Sequence, residues 1–169
     1  TVIKKQIIKD YIEFNLKFIN LIKINPLEII IDTANAVSII VVEGMLSRLP
    51  CKVSYIFKEL DGNFPNHDPD PLVKENLKAI QKQVKSKNAD LGISWDGDGD
   101  RMLLIDENGE YIPGDLITAL MSELILKQNP GAKILYDLRS SRVVEETIKK
   151  NKGVPIMYKV GHSLIKEKM

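Results

Sequence analysis

The hexapeptide Asp96-Gly97-Asp98-Gly99-Asp100-Arg101 sets three carboxylates at alternate positions and follows them directly with an arginine. Carboxylates this close repel one another. A hard cation relieves the repulsion, and aspartate oxygens are ligands that Mg²⁺ and Ca²⁺ prefer. Gly97 and Gly99 allow backbone angles that turn alternate side chains toward one centre. Arg101 places a fixed fork of donors beside that centre, suited to a phosphate or sugar oxygen. Asp and Gly are also ordinary turn residues, but a turn rarely needs three aspartates and an arginine in so short a run. An EF-hand matches at Asp96, Asp98, Asp100 and Glu107, then fails where Arg101 stands in place of the obligatory sharp-turn glycine. Its flanks fail too, because an EF-hand needs a helix on each side and strand-like runs lie here.

Three other polar segments could carry chemistry. Asp137-Leu138-Arg139-Ser140-Ser141-Arg142 follows a strand-like run and opens a helix, a position suited to binding an anion. Arg142 reads equally as a solvated first-turn residue. Gly161-His162-Ser163 also lies between a strand and a helix, with Ser163 readable as a plain N-cap and His162 as a loop residue. His67, in the proline-rich stretch Asp61 to Pro71, could be a loop-stabilising side chain, a metal ligand or an acid–base group.

The elements around these segments alternate. Ile3, Ile7, Ile8, Tyr11, Ile12, Phe18, Ile19 and Ile22 are mostly three or four apart, which predicts an amphipathic helix from Val2 to about Lys23. Asn25-Pro26 stops it. A buried strand from Leu27 to Asp32, a helix from Ala36 to Leu49 and a strand from Lys52 to Phe57 make a βαβ unit, hence a parallel pair. Asp70-Pro71 reads as N-cap and first residue of a helix to about Ser86. The strand Leu91 to Trp95 then delivers the acidic loop at its carboxyl end, where α/β sheets place ligands. Met102 to Asp106 returns as a strand, and Asn108-Gly109 signals a hairpin. Beyond Pro113-Gly114, Asp115 is expected to cap a helix from Leu116 to about Gln128. Lys133 to Asp137, a helix from Arg142 to Lys150 capped by Ser141, and Val154 to Tyr158 follow, with a last helix beginning at Ser163.

Composition narrows the function classes. The 169 residues carry 24 Lys and Arg against 23 Asp and Glu, a net charge of +1, so there is no bulk electrostatic case for a nucleic-acid partner. The single Cys51 supplies neither a disulfide framework nor a zinc ligand set, and reads as a small buried hydrophobe. No uncharged apolar run of ~18 residues occurs, so no membrane span is expected. The N-terminal residues lack a signal-peptide pattern. The expected setting is a reducing cytoplasm.

The acidic loop resembles the magnesium-binding loop of the α-D-phosphohexomutase superfamily, the phosphoglucomutase and phosphomannomutase enzymes. Asp61-Gly62-Asn63-Phe64-Pro65-Asn66-His67-Asp68-Pro69-Asp70-Pro71 and Gly161-His162-Ser163-Leu164-Ile165-Lys166 resemble segments of the bacterial phosphomannomutase/phosphoglucomutase branch. The resemblance implies a three-layer α/β/α domain with a mixed, mostly parallel sheet over 1–112. An incomplete second α/β domain of the same kind is expected over 113–169, so the chain would be the middle of such an enzyme. It implies Mg²⁺ held by Asp96, Asp98 and Asp100, with Arg101 acting on the transferring phosphoryl group. Arg139, where the family has a lysine, would face a hexose phosphate, and Gly161, His162 and Ser163 would form the sugar-recognition loop. His67 is given the structural role, because the family's metal needs no histidine. Two departures stand out: Thr33-Ala34-Asn35-Ala36-Val37 lacks the family's glycine-rich turn, and Val160 replaces a common threonine. The family's phosphoserine segment, a further sugar loop and its phosphate-binding loop do not occur here. The expected activity of the parent enzyme is interconversion of hexose 1- and 6-phosphates through a phosphoserine and a bisphosphorylated sugar, with the remaining domains as partners. The alternative is a non-catalytic module that binds a divalent cation or a sugar phosphate.

Overall fold

The computed structural model describes residues 2–169; Thr1, the expected start of the first domain, lies outside them. The chain divides into two compact units, one through Tyr111 and one from Ile112. In the first, the β-branched run gives β1 (Glu28–Asp32), whose Ile30 and Ile31 are fully buried. Helix α2 (Ile39–Leu46) leads to β2 (Lys52–Ile56), and helix α3 (Lys74–Lys87) leads to β3 (Leu91–Trp95). Strands β4 (Met102–Ile105) and β5 (Tyr111–Ile112) complete a sheet of order β2-β1-β3-β4-β5. β1 is parallel to both β2 and β3, while β4 runs antiparallel to β3.

This order also fixes the layers. The chain steps outward from β1 to β2, then back across β1 to β3. Right-handed crossovers in opposite directions put α2 and α3 on opposite faces. Leu77, Ile80 and Val84 recur at helical spacing along α3 and pack with Ile30, Ala89 and Ile105 as one core cluster. The carboxyl ends of β1, β2 and β3 therefore share one edge of the sheet, and the acidic loop joins β3 to β4 there.

The second unit holds helix α4 (Gly114–Gln128), β6 (Lys133–Asp137), helix α5 (Arg142–Lys150), β7 (Val154–Tyr158) and helix α6 (His162–Lys168). β6 and β7 form a two-stranded parallel sheet. Its core is small: Ala119, Leu126, Tyr136, Val144 and Ile148.

The helix boundaries differ from the sequence expectations at several places. Instead of one helix from Val2 to Lys23, α1 covers Ile8–Leu16 and a 3₁₀ turn follows at Leu21–Lys23. Only Ile12 of α1 is buried, and Ile3, Phe18 and Ile22 are exposed, so the apolar spacing has no surface to pack against. Helix α2 starts at Ile39, because Ala34 and Asn35 before it adopt left-handed conformations, with φ of 49° and 58°. Helix α3 begins at Lys74 rather than Pro71; Asp70 instead accepts the Leu72 amide within a turn at 3.1 Å. Asp115 lies one residue inside α4 and accepts the amides of Leu116 (2.9 Å) and Ser141 (3.1 Å). Ser141 is the residue before α5, but its hydroxyl makes no capping bond. Helix α6 begins at His162, one residue early. Cys51 is half-buried, not fully buried. Among the described residues no helix is long and apolar enough to cross a membrane.

Candidate functional site

The acidic loop is a closed turn. The Asp96 amide donates to the Arg101 carbonyl (3.1 Å) and the Gly99 amide to the Asp96 carbonyl (3.2 Å). Gly99 has φ of 74°, and a side chain there would meet Ser38 Cβ at 3.2 Å, so both the backbone angle and the space call for glycine. Oxygen atoms of Asp96, Asp98 and Asp100 lie within 4.8 Å of one another. Three hard, anionic oxygens at that spacing suit Mg²⁺, which takes oxygen ligands and keeps several waters. The residues present fit such an ion.

The three carboxylates are not equivalent. Asp96 is fully buried, whereas Asp98 and Asp100 are exposed. Arg101 grips Asp96 twice, donating from Nε to Oδ2 at 2.6 Å and from its backbone amide to Oδ1 at 3.1 Å. Burial alone would push the Asp96 carboxyl up. The Arg101 amide and guanidinium outweigh it and hold the group below its ordinary value. The charge of Asp98, chiefly, raises the carboxyl of Asp100, as expected for neighbouring like charges. Arg101 also faces Asp100 at 3.5 Å and Asp70 at 3.8 Å.

The loop that carries Pro69 braces this turn. The Pro69 carbonyl accepts the Gly97 amide at 3.0 Å, and a side chain at Gly97 would lie 3.3 Å from Pro69 Cγ. The glycine-free turn after β1 is held by bonds that a sequence does not display. Asp32 Oδ1 accepts the Ala34 amide (2.9 Å), Asn35 donates its amide to Phe57 O (2.7 Å) and its side chain to Glu59 O (2.8 Å), and Asn66 donates to Asn35 Oδ1 (2.8 Å). His67 sits inside this assembly, with Nε2 on Asp32 Oδ2 (3.1 Å) and Nδ1 on Asp68 O (2.8 Å).

In the second unit, register pairs Asp137 with Tyr158, so the loops after β6 and β7 leave the same edge of their small sheet. The Arg139 loop and the Gly161-His162-Ser163 loop are therefore neighbours by topology. Arg139 folds back on Asp137, donating from Nη2 (2.7 Å), Nε (3.2 Å) and its amide (2.9 Å). That pairing, chiefly through the side-chain hydrogen bond, lowers the Asp137 carboxyl. His162 and Ser163 are exposed in the first turn of α6, and Gly161 before them has φ of 143°.

The family description "Phosphoglucomutase/phosphomannomutase, alpha/beta/alpha domain II" matches residues 9–109, and that of domain III matches residues 113–169. The chain belongs to the phosphoglucomutase/phosphomannomutase family. It is 41% identical over 144 residues to the phosphomannomutase/phosphoglucomutase of Pseudomonas aeruginosa strain PAO1, covering 85% of this chain and 31% of that protein. It is 42% identical over 167 residues to the phosphomannomutase of Methanocaldococcus jannaschii, covering 99% of this chain and 36% of that protein. A solved phosphoglucomutase/phosphomannomutase family protein from Burkholderia thailandensis superposes with a TM-score of 0.91 at 36% identity, over 96% of this chain and 35% of that one. The chain thus spans about a third of the length of these relatives. The α/β architecture with a mixed, mostly parallel sheet agrees with the family's paired α/β/α domains.

Ser38 carries no sequence signal of a place at this loop. Its hydroxyl is buried without a hydrogen-bond partner among the described residues, and its Cβ faces Gly99. No residue pattern marks it, since a serine before a helix ordinarily reads as a cap. Pro69 and Asp70 carry no site pattern of their own either, and only the fold brings them to the acidic loop, while Asp32 is joined to their segment through His67.

Proposed function

We propose that this chain supplies the metal loop and part of the substrate surface of a phosphohexomutase. Such an enzyme interconverts hexose 1- and 6-phosphates, mannose or glucose, through a phosphoserine and a bisphosphorylated sugar. The convergence of Asp96, Asp98 and Asp100 within 4.8 Å, with Arg101 beside them, carries the reading. Asp96, Asp98 and Asp100 would hold Mg²⁺, which when bound offsets phosphoryl charge in the transfer.

The protein's own groups have separable tasks. Asp96 anchors Arg101 through Nε, and Nη1 faces Asp70 at 3.8 Å, which leaves Nη2 best placed to meet phosphoryl oxygens as they gain charge. Arg139 is held by Asp137 through Nε and Nη2, so Nη1 remains for a hexose phosphate. His162 and Ser163 present polar groups at the start of α6, where sugar hydroxyls or a phosphate could be received, with Gly161 setting the turn. The partners in this reading are a hexose phosphate and the rest of the relatives' longer chain.

Calorimetric titration with Mg²⁺, of the chain and of its Asp98→Asn variant, tests the metal assignment. Binding by the chain that falls at least about tenfold in the variant is expected. Equal binding by both proteins overturns it. Fluorescence or NMR titration with mannose and glucose phosphates, repeated on Arg139→Ala and His162→Ala, tests the second-unit assignment in the same way.

A further inference from the structure

Both ring nitrogens of His67 face atoms that can only accept. Nδ1 meets the Asp68 carbonyl oxygen at 2.8 Å, and Nε2 meets the Asp32 carboxylate at 3.1 Å. A neutral imidazole has one donor and can satisfy only one of them. With Asp32 ionised, the geometry calls for the imidazolium. Asp32 is wholly buried and spends its other oxygen on the Ala34 amide, so the His67 bond completes its pairing. The His67 side chain is only 11% exposed, with its ring edge-on to Phe57 at 5.4 Å.

The residues that follow His67 touch the acidic loop. Pro69 receives the Gly97 amide through its carbonyl and packs its ring against Gly97, and Asp70 stands 3.8 Å from the Arg101 guanidinium. A rigid path therefore runs from the end of β1 through Asp32, His67 and Pro69 to the backbone between Asp96 and Asp98. We propose that His67, held by Asp32, is a positioning residue for the metal loop: it fixes the 67–70 segment so that Pro69 and Asp70 set the loop and Arg101 for Mg²⁺. This rests on the metal reading given above and names residues beyond its ligand set. Supporting groups of this kind typically change metal affinity by about 10–100-fold. The titratable groups that face His67 are Asp32, from β1, and Asp68, from its own loop, and the hydrogen bond to Asp32 chiefly raises the imidazole above its ordinary value.

Two isosteric variants separate positioning from simple packing. In His67→Gln the amide can reach the Nε2 position and keep Asp32; in His67→Asn it reaches only the Nδ1 position and loses Asp32. Amide exchange of Gly97 and Mg²⁺ titration are read together, with exchange at Ile30 as the check that the core is intact. His67→Asn is expected to speed Gly97 exchange and weaken Mg²⁺ about tenfold, and His67→Gln to restore both toward the unmodified chain. In the unmodified chain, the His67 ring and the Gly97 amide should titrate with one midpoint above the ordinary imidazole value, a measurement that needs no variant to fold. A Gly97 amide indifferent to the His67 titration, or Mg²⁺ affinity equal in His67→Asn and the unmodified chain, overturns the inference alone. No Mg²⁺ binding by the unmodified chain overturns the metal reading and this inference with it.

Discussion

The loop that carries Asp96 and the loop that carries Arg139 follow the same rule of placement, each at the carboxyl end of a parallel strand, yet they are held very differently. The first is tied on three sides: Arg101 on buried Asp96, Pro69 on Gly97, and Ser38 against Gly99. It extends from a five-stranded sheet whose core residues Ile30, Ile80 and Ile105 are fully buried. The second rests on a two-stranded sheet, and its arginine side chain is 74% exposed, paired among the described residues only with the aspartate two residues back. In the proposed reading, a charge cluster that is to meet a cation needs its oxygens fixed before the ion arrives. A loop proposed to meet a mobile sugar phosphate can be looser, since such a ligand would itself supply part of the order.

That difference should appear first in local stability. Amide exchange at Ile30 and Ile31 is expected to be slower than at Leu135 and Tyr136 by roughly a hundredfold or more, because two strands bury too little to protect themselves strongly. Equal protection in both sheets would erase the contrast. Next in size is Asp96→Asn. It keeps an acceptor for the Arg101 amide but removes the charge that Nε binds, at a cost of roughly 1.5–3 kcal/mol. Urea unfolding followed by Trp95 fluorescence reads this loss. The same side chain sets a pH window. Its folded value lies below the ordinary one, so its contribution is present above the unfolded value, about 3.9, and disappears as pH falls through the folded value.

His67 should behave with the opposite sign and a smaller effect. Its folded value is raised, chiefly by the hydrogen bond to Asp32, so its stabilisation is complete below the unfolded value near 6.5. It is lost as pH climbs through the raised folded value. Unfolding of the first unit should thus need less urea at pH 9 than at pH 6, and this slope should vanish in His67→Gln. Smallest of all is Arg139→Ala. An exposed ion pair contributes about 0–1 kcal/mol, so its unfolding midpoint should barely move even if hexose phosphate binding is lost. A large loss of stability in Arg139→Ala would mean that the second loop is braced as firmly as the first.

The helix errors show where periodicity stops being informative. Val2 to Lys23 has the spacing of a helix, but spacing says only which face is apolar. Without a surface to receive Ile3, Phe18 and Ile22, the helix shortens to Ile8–Leu16. The Asp70-Pro71 pair shows the same limit at a boundary, because Asp70 can serve a turn or a helix with the same oxygen, and here it serves a turn ahead of Lys74.

By itself the sequence determined the local chemistry: three alternating carboxylates with glycines between them, the strands on either side, and the parallel β1–β2 pair that a βαβ spacing forces. Those follow from neighbours along the chain, where steric and electrostatic demands act at short range. Only the tertiary structure decided that Asp96 would be buried under Arg101 while Asp98 and Asp100 stayed exposed. It also decided that Asp32, 35 residues from His67 in the chain, would complete the histidine's hydrogen bonds, and that Pro69 would meet Gly97. Such pairings depend on which strand ends share an edge of the sheet, and crossovers set that only once the whole sheet has formed.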